Sequence, residues 1–128
     1  MPKVYVTKEF EFEAAHHLLN YEGACARVHG HTYKLQVTAS GEVYTSGLLQ
    51  ATDHMVIDFK ELKKIVDNKI IRTHDHVDLN EIYENPTAEV MVVNMFGAIQ
   101  ESLPKDVHLE SVKLWETSTS FAEYRGGL

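Results

Sequence analysis

Val4-Tyr-Val-Thr-Lys-Glu-Phe-Glu-Phe-Glu-Ala-Ala-His16 alternates almost without a break. Val4, Val6, Phe10, Phe12, Ala14 and His16 share one face, and Tyr5, Glu9, Glu11 and Glu13 share the other, with Lys8 the exception. Side chains point to opposite faces along a strand, so this run predicts a strand buried on one side and wetted on the other. The alternation also separates the adjacent histidines. His16 continues the apolar face, and His17 points away.

A second alternating run begins at His29. His29, His31, Tyr33, Leu35 and Val37 fall on one face, with Thr32, Lys34, Gln36 and Thr38 opposite. Two antiparallel neighbours of this pattern bring His16, His29 and His31 together at one end of a sheet. Three protein nitrogens with an open fourth position is the ligand count of a catalytic zinc site. Iron, copper and nickel accept the same donors. The loop Leu18 to Arg27 leads into Cys25-Ala-Arg-Val-His29-Gly-His31 and admits two readings of the lone cysteine. Cys25 is the fourth ligand of a closed structural site, or it stands beside an open one as a base, where the cation favours its thiolate.

Outward from these strands the chain changes character. Glycines and hydroxyl residues from Ala39 to Met55 predict a hairpin or looped excursion. Asp58, with Glu61 three residues on, forms an acidic capping box. Phe59, Leu62, Ile65, Val66 and Ile70 then recur at helical spacing and predict a helix over about 59–71. Arg72 to Asn80, dense in titratable groups around Asp75-His76, reads as a loop or short turn. Glu84-Asn-Pro86-Thr87-Ala-Glu89 starts a second helix, with Thr or Asn as its cap and glutamate near the positive end of its dipole. Val90, Val93, Phe96, Ile99 and Leu103 supply its buried face, with Met91, Met95 and Ala98 as core filler beside them, and Pro104 stops it. Val107 to Thr117 alternates again, and Glu116 continues the apolar face of Val112 and Leu114. Either the strand ends there in solvent or the carboxylate has a task. Phe121 to Arg125 predicts a last short strand. Strands and helices are segregated, which predicts an α+β domain, an antiparallel sheet with two helices packed on one face.

Composition bounds the function. The 128 residues fit one domain, 1–128, without repeats or linkers. A net charge of −7 argues against nucleic acid as the main partner, although a phosphorylated small substrate needs only a local basic pocket. No apolar run approaches the ~20 residues of a membrane span, and the N-terminus lacks a signal-like stretch. One cysteine forms no intrachain disulfide, so a cytoplasmic location is expected. Of the eight histidines, His54, His108 and His17 read as surface residues without a role.

Six ordered segments carry a resemblance that spans nearly the whole chain. They are Phe12-Glu-Ala-Ala-His16, Cys25-Ala-Arg-Val-His-Gly-His31, Val56-Ile-Asp-Phe59 with Glu61-Leu-Lys, Asp75-His76 with Leu79-Asn80, Asn85-Pro-Thr87-Ala-Glu89, and Lys113-Leu-Trp-Glu116-Thr117. Together they resemble the 6-pyruvoyl-tetrahydropterin synthase family, most closely its bacterial 6-carboxy-5,6,7,8-tetrahydropterin synthase branch, which serves queuosine biosynthesis. The three residues between Cys25 and His29 match the spacing of that branch. Animal pyruvoyl-forming relatives have two more, and another branch has glutamate in place of the cysteine. Two departures are a long Tyr44 to His54 segment and Val77-Asp78 after Asp75-His76.

The resemblance implies a tunnelling fold that closes into a barrel through oligomerisation, as a homohexamer built from two trimers. It implies Zn2+ on His16, His29 and His31, Cys25 as general base, and Asp75 and His76 as its relay across a subunit boundary. Glu116 would grip the amino-pyrimidine edge of a pterin, with Thr117 beside it and Thr87 reaching in from a neighbour; Glu116 thereby counts as both catalytic and substrate-binding. The implied reaction converts 7,8-dihydroneopterin triphosphate to 6-carboxy-5,6,7,8-tetrahydropterin, acetaldehyde and triphosphate. The alternatives are the pyruvoyl product from the same substrate, or a non-catalytic module with a structural zinc. By position, Arg27, Lys34 and Arg125 are candidates for holding the triphosphate.

Overall fold

Both alternating runs form strands, each longer than its alternation requires. In the computed structural model, which describes residues 1–47 and 49–128, β1 is Lys3–His16 and β2 is His29–Glu42. They pair antiparallel along their full length, from Lys3 opposite Glu42 to His16 opposite His29. β4 (His108–Thr117) and β5 (Ser120–Tyr124) extend the sheet on the β2 side, and the two-residue β3 (Val77–Asp78) joins it beside β1. The sheet has five strands in the order β3-β1-β2-β4-β5. All pairs are antiparallel except β3 with β1, where Ala14 and Ala15 meet Val77 and Asp78 in parallel.

The apolar face of this sheet is buried as its pattern requires. Phe10, Phe12, Tyr33, Leu35, Val37, Val112 and Leu114 pack against Leu62, Val66 and Ile70 from one helical stretch and Met91, Met95, Phe96 and Ile99 from another. Each such side chain contributes roughly 1.5–3 kcal/mol on full burial. The opposite face is tied by cross-strand polar contacts, Thr7 to Thr38, Gln36 to Glu9 and Thr32 to Glu13.

The first helix begins where Asp58 accepts from the Lys60 amide at 2.8 Å, giving α1 (Phe59–Val66). Glu61 lies in its first turn without closing the expected reciprocal box. That motif occurs instead between Gln50 and Asp53, at the 3-10 turn Ala51–His54. Of the Tyr44 to His54 segment, Leu48 lies outside the described residues. β2 also reaches further into the expected excursion, to Glu42.

α1 runs on through a π-helical turn, Asp67–Ile71, into α2 (Arg72–His74), so the start of the expected loop at Arg72 is helical. The rest of it holds β3 and a 3-10 turn, Leu79–Glu81. α3 (Ala88–Ser102) is capped by Thr87, which accepts from the Val90 amide. Its buried stripe is Met91, Val92, Met95, Phe96 and Ile99, whereas Val90 and Val93 are exposed. The helix is apolar nearly all round, so spacing alone did not orient it. Among the described residues no helix is long and apolar enough to cross a membrane.

The wider π turn puts the Ile70 carbonyl within 2.8 Å of His74 Nδ1, while His74 Nε2 meets the Tyr83 hydroxyl at 2.7 Å. A carbonyl only accepts, so Nδ1 carries the proton and Nε2 receives the phenol's. Burial pushes the Tyr83 phenol up to about 12, which keeps that donor protonated. Burial also lowers the His74 pKa, with the Ile70 carbonyl opposing it. The native state therefore resists a proton that the unfolded chain accepts near 6.5. Stability should fall as pH drops through that value. Denaturant midpoints of the metal-free protein from about pH 7 to about pH 5 should decline more steeply than those of His74→Gln. Equal slopes would show that His74 carries none of the dependence.

Candidate metal centre

The β1–β2 register sets His16 directly opposite His29 and leaves His31 two residues further along the same face. The three rings meet pairwise with centroids 4.7, 4.9 and 5.0 Å apart, each pair edge-to-face. One ring nitrogen from each lies within 4.8 Å of the others. His16 is 1% exposed, at the end of the apolar core.

Two backbone carbonyls orient the rings. His16 Nδ1 lies 2.8 Å from the Pro86 carbonyl, and His29 Nδ1 lies 2.7 Å from that of Arg27. Both Nδ1 atoms must donate, which leaves each Nε2 with its lone pair. His16 Nε2 and His31 Nε2 are buried without a hydrogen-bond partner. An unpaired buried polar atom is costly, and a cation on these lone pairs removes that cost. Burial lowers the His31 pKa, with His16 and His29 acting in the same direction and Glu116 opposing. A neutral imidazole is the ligating form. The donor set fits a transition metal of the zinc type.

Glu116 does not end its strand in open solvent. Its Oε1 lies 3.3 Å from His16 Nε2 and 3.9 Å from His31 Nε2, with the side chain 32% exposed. At 3.3 Å the contact is a charge neighbour without hydrogen-bond geometry, in keeping with the unpaired state of His16 Nε2. Glu116 also lines a cleft of about 440 Å³ with Ala88, Glu89, Ser120 and Phe121, beside the start of α3. Thr117, the last residue of β4, is exposed. Thr87 uses its hydroxyl to cap α3, one residue beyond the carbonyl that holds His16.

Cys25 sits half-buried in the 3-10 turn Ala24–Ala26 and is not part of the histidine group. Its carbonyl accepts from the Leu18 amide at 2.9 Å. Asp75 accepts from the Glu13 amide and lies 3.0 Å from His76 Nδ1, and these two contacts lower its carboxyl pKa. His76 has φ of 60° and an exposed ring. Within the chain this pair shares no hydrogen bond with Cys25 among the described residues; it lies on the outer side of β1. Lys34 likewise stands on the face away from the histidines, 3.6 Å from Glu9 and over the Trp115 ring. Arg125 bonds Glu123.

His54 and His108 are exposed, as expected. His17 is half-buried rather than on the surface, its backbone held by the Asn80 side chain. Sequence reading also missed the Pro86 carbonyl, since a backbone acceptor leaves no mark in residue type.

The 6-pyruvoyl tetrahydropterin synthase family model matches residues 5–127, and the chain belongs to that family and is an enzyme of the lyase type. It is 37% identical to the 6-carboxy-5,6,7,8-tetrahydropterin synthase of Haemophilus influenzae, over 94% of this chain and 97% of that protein. It is 38% identical to the synthase of the same name from Synechocystis, over 93% and 91%. The structure of Caenorhabditis elegans 6-pyruvoyl tetrahydropterin synthase superposes with a TM-score of 0.82 at 29% identity, covering 99% of this chain and 98% of that one. The chain thus has the tunnelling fold of this family.

Zinc in excess should stabilise the protein against heat. A free concentration 100 times Kd adds about 2.7 kcal/mol, which for a domain of this size is on the order of 10 °C in Tm. His29→Ala should lose most of that response. A variant that responds as the wild type does would remove His29 from the ligand set.

Proposed function

We propose that this chain converts 7,8-dihydroneopterin triphosphate and one water to 6-carboxy-5,6,7,8-tetrahydropterin, releasing acetaldehyde and triphosphate, as a step of queuosine biosynthesis in the cytoplasm. The observation that carries the proposal is the convergence of three imidazoles, two of them with buried, unpaired Nε2 atoms that face the Glu116 carboxylate at the rim of a cleft. The names of the relatives at 37% and 38% identity support the carboxy product.

His16, His29 and His31 would hold Zn2+, whose chemistry is to acidify hydroxyls and polarise carbonyls. The chain's own groups do the rest. Glu116 accepts two hydrogen bonds from the amino-pyrimidine edge of the pterin, a charge-assisted bidentate contact, with Thr117 beside it. Cys25 moves the side-chain proton whose loss precedes departure of triphosphate. Its position outside the histidine group supports a base rather than a fourth ligand. Asp75 and His76 would relay that proton, and Thr87 would reach the pterin, each from a neighbouring subunit in a hexamer built from two trimers. Support for such closure lies in the sheet edges: most of β1 has no strand on its outer side among the described residues, and β5 ends the other edge.

Incubation with 7,8-dihydroneopterin triphosphate should yield acetaldehyde. A pyruvoyl product without acetaldehyde would move the protein to the other branch, whose fold likeness is high. Cys25→Ala should lower kcat by about 10²-fold or more while zinc content is kept. Loss of zinc in that variant, or a Zn–S distance of about 2.3 Å by X-ray absorption, would make Cys25 a ligand of a structural site.

Glu116→Gln should raise KM by about tenfold or more, the cost of a weakened charge-assisted contact, at unchanged zinc content. An unaltered KM and kcat would remove Glu116 as anchor.

A further inference from the structure

β1 ends its pairing at His16, so the amides that follow have no strand to receive them. Three successive N–H groups are nevertheless satisfied. His17 N–H donates to Asn80 Oδ1 at 2.9 Å, Leu18 N–H to the Cys25 carbonyl at 2.9 Å, and Leu19 N–H to Asn85 Oδ1 at 2.9 Å. Asn80 also donates from Nδ2 to the His17 carbonyl at 3.1 Å, so one amide side chain reads both backbone groups of that residue. The same segment supplies the Pro86 carbonyl to His16 Nδ1. Residues 80–86 thus hold His16 through its ring and His17 and Leu19 through their backbones. The Leu79-Asn80 and Asn85-Pro86 motifs have no other task in the site described above.

We propose that Asn80 and Asn85 are positioning residues, which hold the turn after β1 so that His16 faces its partners and the Cys25 loop leaves the sheet beside them. The role rests on the metal centre and the part of Cys25 proposed above. Neither asparagine touches a reacting atom; they act through His17, Leu18 and Leu19. A loosened His17 lets the backbone of its neighbour His16 rotate away from the Pro86 carbonyl, and a displaced Leu18 releases the Cys25 carbonyl. Side-chain chemistry separates the two positions. Asn80 donates and accepts, which an aspartate cannot do. Asn85 only accepts toward Leu19, which an aspartate does equally well.

The test is native-state amide exchange on the metal-free chain, joined to cobalt and zinc binding. Asn80→Ala should lower protection of the His17 amide by about tenfold or more, and Asn85→Ala that of Leu19, whereas Asn85→Asp, and Asn80→Asp, which loses only the donation to the His17 carbonyl, should each retain it. Zinc affinity in competition with a chelator should fall about tenfold in the two Asn80 variants and in Asn85→Ala, with an altered visible cobalt band. Asn85→Asp should restore both. A folding defect at Asn80 leaves the Asn85 pair to decide. Wild-type affinity and cobalt spectrum in variants whose amides have become exposed would overturn the positioning role. So would a loss of affinity in Asn85→Ala that Asn85→Asp fails to rescue. A wild-type chain that takes up no cobalt overturns the metal centre and this role with it. Cobalt binding without acetaldehyde production overturns only the proposed reaction.

Discussion

Everything at the site depends on one register, Lys3 opposite Glu42 through His16 opposite His29. A slip of one residue would turn every side chain of a strand to the other face. Phe10 and Phe12 would enter water, and His16 would leave the core. The register is therefore enforced by apolar burial along the whole strand, while its consequence is felt at the far end, where the imidazoles meet. Packing and site chemistry are thus not separate designs here. The first sets the second.

That arrangement carries a cost that the core offsets. His16 is as buried as the aliphatic side chains behind it, and its Nε2 has no hydrogen-bond partner. Holding such an atom dry costs on the order of 1–3 kcal/mol. The stacked Phe12 and Tyr33, their centroids 5.0 Å apart, lie immediately behind the histidines, and the Tyr33 hydroxyl is 3.3 Å from His16 Nδ1. Burial, with the Glu116 charge acting in the same direction, raises the Tyr33 pKa, so the hydroxyl stays a neutral neighbour. The apolar layer and the histidine cluster grade into each other within a few residues of each strand.

Much of this was legible in the sequence, for a physical reason. A period of two is a geometric property of a strand, so alternation alone selected His16 over His17 and set Glu116 on the face of Val112 and Leu114. A helix apolar on all sides offers no such contrast, and Val90 and Val93 were wrongly read as buried. The polar run Arg72 to Asn80 hid a helical end and a short parallel strand, because both are fixed by tertiary contacts such as Asp75 with the Glu13 amide. The Pro86 carbonyl and the Asn80 clamp were unreadable for a related cause. They are long-range hydrogen bonds to backbone, and local residue type does not encode them.

The chain order of these parts has a consequence for synthesis. All three histidines lie within the first 31 residues, on the hairpin whose loop carries Cys25. Apart from the Arg27 carbonyl on His29, their supports, Asn80, Asn85, Pro86 and Glu116, come much later. A chain growing from its N-terminus therefore displays bare imidazoles and a thiol well before the carbonyl, amides and carboxylate that orient them exist. The final geometry of the centre is sealed only by residues 80–116.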